Sequence, residues 1–279
     1  MQTRKELLRN ARRIVVKVGT SILTTSTNRL DTSYLEELTD EVAALRRDNR
    51  QVALVTSGAI AAGMKSLGLA ERPKKLSEVQ ATAAVGQSNL MRTYERLFKE
   101  RGLVVGQVLL TRDITRLRYS NARGTLNSLF DLNVIPVINE NDAIAAEEIR
   151  FGDNDTLSAV VAKLVDADLL VMLSDVDGFK IKEKVCPEIC GMIGADVVKE
   201  AQGSGSANSV GGMITKLEAA KRMLKNGKIT IIANGRTERI LQRLLDGEKL
   251  GTIFFPAFAK ATAAKAERKI DKKRDKRIK

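Results

Sequence analysis

Two lysines stand beside glycines in settings that suit a bound phosphate. Lys17 closes an apolar run and is followed by Gly19-Thr20-Ser21. Glycine lets backbone amides approach an anion, hydroxyls add donors, and an ammonium supplies a point charge. Lys216 ends the stretch Gly211-Gly212-Met213-Ile214-Thr215-Lys216, at what reads as a helix start. A third junction, Thr56-Ser57-Gly58-Ala59-Ile60-Ala61-Ala62-Gly63, leads from a strand into a small-residue helix, whose unpaired amides and dipole favour anions. The fourth group is acidic and amidic: Asn139, Glu140, Asn141 and Asp142, then Asp153, Asn154 and Asp155. Each feature also has an ordinary explanation. A strand-end lysine reaches water, small residues pack helices tightly, glycine pairs make flexible loops, and Asn and Asp form turns. The acidic group could equally hold an amino group and a carboxylate, or orient the lysines by ion pairing. Together the four suit phosphoryl transfer, which needs positioning and cations at the developing charge and little else from the protein. Spacing alone therefore points to a nucleotide-phosphate enzyme. Neither the P-loop nor the dinucleotide fingerprint is present, since Asn208 stands where a third glycine would follow Gly203 and Gly205.

Composition narrows the chemistry further. The 279 residues contain no histidine, which excludes Ser-His-Asp and Cys-His catalysis and histidine metal ligands. Cys186 and Cys190 are too few for a structural zinc and read as free thiols, so no protein metal site is expected. With 43% hydrophobic residues the chain can bury a sizeable core, and no apolar run reaches the ~20 residues of a membrane span. It reads as a soluble, cytoplasmic protein. Net charge is +13, of which residues 257–279 contribute +7 through ten Lys or Arg against three acids. That tail is read as a solvated helix or a disordered end, not a domain. Contact with nucleic acid is the alternative, disfavoured because only Phe258 offers a ring for base stacking.

Val- and Ile-rich runs alternate with helical segments, the pattern of a parallel sheet covered on both faces. Strands are predicted at Ile14–Val18, Val52–Thr56, Val104–Leu110, Val134–Ile138, Leu169–Leu173, Ile229–Ile232 and Thr252–Phe255. Helices are predicted at Thr32–Arg47, from Ala59 to about Leu67, from a capping box at Ser77–Gln80 to about Arg101, and at Asn121–Leu132, Thr156–Val165, Thr215–Lys225 and Arg239–Leu245. Ala143–Phe151 reads as a short hairpin. Lys180–Ser209 is the least regular stretch, with a glycine-serine run at Gly203–Ser206 expected to be mobile. In such sheets ligands gather at the carboxyl ends of the strands, which is where the four groups fall.

The wording of these stretches is itself informative. VVKVGTSIL at Val15–Leu23, VTSGAIAAG at Val55–Gly63, AAVGQSNLM at Ala83–Met91 and VGQVLLT at Val105–Thr111 resemble the glutamate 5-kinases of the amino acid kinase family. NARGTL at Asn121–Leu126, VIPVINENDAIA at Val134–Ala145 and FGDNDTLSA at Phe151–Ala159 continue the resemblance in order. LLVMLSDVDG at Leu169–Gly178 and GGMITKLEAAKRM at Gly211–Met223 complete it.

The resemblance implies a three-layer αβα sandwich with a largely parallel central sheet of about eight strands, formed by a kinase domain over residues 1–256. It implies transfer of the ATP γ-phosphoryl, with Mg²⁺ bound to ATP, to the side-chain carboxylate of L-glutamate, the first step of proline biosynthesis. The other readings are a different carboxylate or carbamate kinase of the family, or a catalytically dead nucleic-acid-binding regulator. Feedback inhibition by proline and a homo-oligomer are further implications. Lys17 and Lys216 would be the cations on the transferring group, with Asp155 holding them. Gly19, Thr20, Gly58 and Gly212 would serve the phosphates. Ser174, Asp175 and the run Val210, Gly211, Gly212, Met213, Ile214, Thr215 and Lys216 would face the nucleotide. Ser57, Asp142 and Asn154 would bind glutamate. The family commonly reads Gly-Thr-Gly-Gly-Met where this chain has Ser209 to Met213, and many bacterial members carry a C-terminal PUA domain for which the basic tail is too short. A short form is expected.

Overall fold

Runs of Val, Ile and Leu with no polar alternation make strands that must be buried on both faces, and the chain meets that demand with two layers of helices. A computed structural model describes residues 4–25, 27, 29–111, 116–144, 154–203 and 212–257. The chain opens with α1 (Arg4–Arg9), β1 (Arg13–Val18), the single turn α2 (Thr20–Leu23), α3 (Thr32–Arg47) and β2 (Gln51–Val55). Next come α4 (Ala59–Leu67), α5 (Leu76–Glu100), β3 (Val105–Leu110), α6 (Arg116–Asp131) and β4 (Ile135–Glu140). Then follow α7 (Asn154–Leu164), β5 (Leu169–Ser174), β6 (Lys180–Ile181), β7 (Lys184–Val185), β8 (Glu188–Cys190) and α8 (Ala195–Gly203). The last elements are α9 (Met213–Lys225), β9 (Ile229–Asn234), α10 (Ile240–Leu245) and β10 (Thr252–Phe255).

Eight strands form one sheet in the order β3-β4-β2-β1-β5-β9-β10-β8. Neighbours are parallel except β10, which runs antiparallel to β9. Strand period 2 sorts side chains between the layers. Ile14, Val16 and Val18 of β1 pack in one apolar cluster with residues of α3, α5 and α10. Val15 packs in the other, with residues of α6, α7 and α9. Lys17 therefore belongs on the α7–α9 face.

The structure departs from the sequence pattern in three places. No side chain caps α5: Lys75 is its N-cap, and the amides of Glu78 and Val79 both donate to the Lys75 carbonyl, so Ser77 is already inside the helix. The helix predicted from Asn121 starts at Arg116. The stretch predicted irregular after Lys180 contains the β6–β7 hairpin, β8 and α8. Lys182 and Glu183 make the hairpin turn at φ of 48° and 63°, a conformation usually flagged by glycine or asparagine, so no turn signal marks it. Its three residues leave β8 too short for a periodic signal, and pairing with β10 alone makes it a strand. The predicted hairpin beyond residue 144, the serine-glycine run beyond residue 203 and the tail beyond residue 257 lie outside the described residues.

Helices α4 and α5 cross at backbone contact. A Cβ at Gly86 would lie 1.7 Å from the Ala59 carbonyl oxygen, and one at Gly63 would lie 1.9 Å from that of Thr82. Gly124 in α6 has open space at the same position. Gly86→Ala should cost about 3 kcal/mol by overpacking, whereas Gly124→Ala should stabilise by about 0.5–1 kcal/mol through helix propensity. Urea midpoints of the two variants, moving in opposite directions from the parent, check this.

Candidate active site

The C-terminal end of β1 meets the first turn of α7 and the first turn of α9 at one carboxylate. Asp155, the second residue of α7, is 1% exposed. Its Oδ1 lies 2.6 Å from Lys17 Nζ and its Oδ2 lies 3.1 Å from Lys216 Nζ. Thr215 Oγ1 donates to Oδ2 at 2.7 Å, with the Gly212 carbonyl as a second acceptor at 2.8 Å. Both lysines are buried, so three charges are withdrawn from water and held by one another. Burial, the largest influence on Asp155, pushes its pKa up, but Lys17 and Lys216 together outweigh it and hold the carboxyl below its ordinary value. For Lys216 burial dominates. It lowers the pKa against the attraction of Asp155, repulsion from Lys17 adds to the lowering, and Asp175 pulls the other way. Two ammonium groups against one carboxylate leave a net positive centre beside the strand ends.

One residue earlier on the same helix, Asn154 faces the other way. Its Nδ2 donates to the Thr56 carbonyl at 2.9 Å and to Ser57 Oγ at 2.8 Å, and lies 3.2 Å from Asn139 Oδ1. Its Oδ1 is buried and has no hydrogen-bond partner among the described residues. Asn139 Nδ2 donates to Gln87 Oε1 at 2.9 Å, and Thr56 Oγ1 lies 2.8 Å from Tyr94 Oη. Gln87 Nε2 is likewise buried without an acceptor among the described residues. This second cluster thus offers an unused acceptor and an unused donor, the complement of an amino acid's ammonium and carboxylate.

Gln87 and Tyr94 were not among the candidates read from the sequence. The available signal was a glutamine on the buried stripe of an amphipathic helix, seven residues before a buried tyrosine. Asp142 stands in the turn after β4. Burial, then the charge of Glu140, raises its pKa to about 6 against the pull of Arg72.

The remaining candidates spread around the two clusters. The Gly19 amide donates to the Leu173 carbonyl at 3.1 Å, so it is not available to a phosphate. A Cβ there would lie 3.5 Å from Lys17 Nζ, so the missing side chain leaves room beside the ammonium instead. Thr20 is exposed at the start of α2, where its amide has no intrahelical acceptor. Gly58 caps α4 at φ 97°, in the left-handed region that favours glycine, and the first amides of α4 follow it. Ser174 is buried at the end of β5 and donates to Asp175 Oδ1 at 3.0 Å. Gly212 is the N-cap of α9, with Met213, Ile214 and Thr215 in its first turn. Val210 and Gly211 lie outside the described residues. No group of three or more acidic or thiol side chains arranged to hold a metal ion occurs among the described residues. No described helix is long and apolar enough to cross a membrane.

Comparison with known proteins bears on the family and the fold. The model of the amino acid kinase family matches residues 12–234. A glutamate 5-kinase of a Geobacter species is 47% identical over 262 residues, which is 91% of this chain and 70% of the relative. The glutamate 5-kinase of Clostridium acetobutylicum is 44% identical over 264 residues, 92% of this chain and 99% of the relative. Among solved structures, carbamate kinase from Giardia lamblia bound to AMP-PNP shares the fold, with a TM-score of 0.62 at 15% identity over 89% of this chain and 99% of that one. A sheet of this order, closed by a lysine–aspartate–lysine cluster and matched at this identity along nine-tenths of its length, places the chain in the amino acid kinase family, among the glutamate 5-kinases.

Proposed function

We propose that the chain transfers the γ-phosphoryl group of ATP to the side-chain carboxylate of L-glutamate, forming glutamyl 5-phosphate, the first step of proline biosynthesis. The observation that carries this reading is the adjacency of two clusters of opposite chemistry at the start of α7. The Asp155 side holds two cations for phosphates, and the Asn154 side offers a donor and an acceptor for an amino acid. Identity of 44–47% to glutamate 5-kinases supports the choice of acceptor.

The reaction needs no general base. A glutamate carboxylate, with an ordinary pKa of about 4.3, is already a nucleophile at neutral pH. One of its oxygens attacks the γ-phosphorus as the bond to the β-phosphate oxygen breaks, and ADP leaves with the electron pair. What the protein must supply is in-line placement and positive charge where the phosphoryl and leaving oxygens become more negative. Lys17 and Lys216 provide that charge, and Asp155 fixes both so that they need not reorganise as the charge moves. Asn154, Ser57 and Asp142 hold glutamate, with Asp142 taking its ammonium group. Gly58, Thr20, Ser174, Asp175 and the start of α9 line the nucleotide side. Both oxygens of Asp155 are engaged by the two lysines, and Mg²⁺ would arrive as part of the ATP substrate. A cytoplasmic location, proline inhibition and homo-oligomer assembly belong to the same proposal on the strength of the family resemblance. The edge strand β3, with Leu109 and the flanking Val104 and Leu132 exposed among the described residues, further supports assembly.

Turnover with hydroxylamine present, which traps acyl phosphates as hydroxamates, should give product chiefly from L-glutamate and little from aspartate or N-acetylglutamate. Product chiefly from either of the others would refute the assignment of the acceptor. Lys216→Ala should lower kcat by about 100-fold or more with a much smaller change in the KM for glutamate, because its charge is needed most in the transition state. An unchanged kcat would remove it from the mechanism. Asp142 must be ionised to hold an ammonium group, and its raised pKa of about 6 sets the window. The KM for glutamate should therefore climb as pH falls below about 6. In Asp142→Asn the KM should be high and flat across that range. The same raised pKa means that ionising Asp142 weakens the fold, so its contribution to stability falls as pH rises from the ordinary carboxylate range through about 6.

A further inference from the structure

We propose that the protein has a second ligand site, for an oxyanion-bearing small molecule, at the amino ends of the strands and centred on Arg46. A cavity of about 410 Å³ opens there between the end of α3, the α5–β3 connection and the α6–β4 connection. Arg46, Arg47, Arg101, Gln51 and Asn133 supply its polar lining, with Phe130 as part of an apolar wall. It lies at the opposite end of the sheet from Lys17, about 15 Å of strand away.

Three observations make the cavity an anion site. First, Arg46 has no counter-ion among the described residues. Its Nη1 donates to the Arg50 carbonyl at 2.8 Å and its Nη2 donates to Asn133 Oδ1, while Nε is buried with no acceptor among the described residues. Burial lowers its pKa, and no carboxylate acts against that effect. Arg101, by contrast, is satisfied, with Nε at 2.7 Å from Asp40 Oδ1 and the rest of its guanidinium donating to the Leu97 and Glu36 carbonyls. Second, the neighbouring amides have a fixed polarity. Arginine only donates, so Gln51 Oε1, held by Arg13 Nε at 2.7 Å, and Asn133 Oδ1, held by Arg46, must be the carbonyl ends. The NH₂ ends of both amides are what remain for a ligand. Third, Arg47 is exposed at the rim and adds a second cation. Asp40, whose charge is felt by Arg47, already serves Arg101. A cavity lined by Arg46, Arg47 and two amide NH₂ groups, with no carboxylate set against Arg46 among the described residues, suits an anion. Phosphate and carboxylate groups share the required chemistry.

Thermal unfolding of the full chain with inorganic phosphate or citrate, at ionic strength held constant with sodium chloride, tests this. One or both should raise the midpoint saturably, by about 3 °C at ten times the dissociation constant, and the larger response identifies the class of oxyanion. Lys216→Ala should keep the response and Arg46→Gln should lose it. Because Arg46→Gln could itself unsettle α3, Asn133→Asp is the second variant. It sets a carboxylate against Arg46, at a left-handed position that Asp tolerates, and should raise the midpoint without ligand while abolishing the response. No shift in the parent protein, a response that survives in Arg46→Gln and Asn133→Asp, or one that disappears in Lys216→Ala would each overturn the proposal.

Discussion

A single carboxylate makes the centre of this structure possible. Without Asp155, Lys17 and Lys216 would be two buried ammonium groups facing one another, and either charge alone is expensive to take out of water. With it, each lysine has a partner at 2.6 Å or 3.1 Å and both can stay charged where water is scarce. The requirement reaches outward. Asp155 must come from a helix start, Lys17 from a strand end on the same face, and Lys216 from a second helix start beside the first. The order of β1, β5 and β9 in the sheet, with α7 and α9 packed over them, answers that demand.

The division of labour between the two sides of the sheet follows. On the α7–α9 side the clamp gathers cations. On the other side α5, pressed against α4 at glycine contacts, delivers Gln87 and Tyr94 to the ends of β4 and β2. The tight crossing of α4 and α5 is thus both the ordinary packing explanation of the small-residue run and the means of positioning the amide cluster. The two readings of that run do not compete.

Much of this could be read from the chain. Near-continuous apolar runs announced a sheet covered twice, and the alternation along β1 already decides which face Lys17 occupies. Gly, Ser, Asn and Asp recurred at the strand ends where the clusters lie. Other features had no local signal. That Asp155 rather than Asp142 would meet both lysines depends on which strands neighbour β1, a long-range fact that the family resemblance implied and no local pattern did. Gln87 looks like any helical glutamine until the helix acquires a face. The Gly19 amide looked ready for phosphate, yet its acceptor is Leu173, a residue more than 150 positions away. The β6–β7 turn uses Lys182 and Glu183 where glycine or asparagine would have given it away.

Asn154 and Asp155 are consecutive residues of one helical turn, yet their side chains join different polar clusters. The separation between the Asn154 and Asp155 backbone positions is therefore set by one helical turn, and each side chain is held there by its own contacts. A displacement of α7 moves the Asn154 amide and the Asp155 carboxylate together, so neither cluster loses its α7 member alone. One helix turn thus acts as the common hinge pin of two clusters whose other members come from four different segments of the chain.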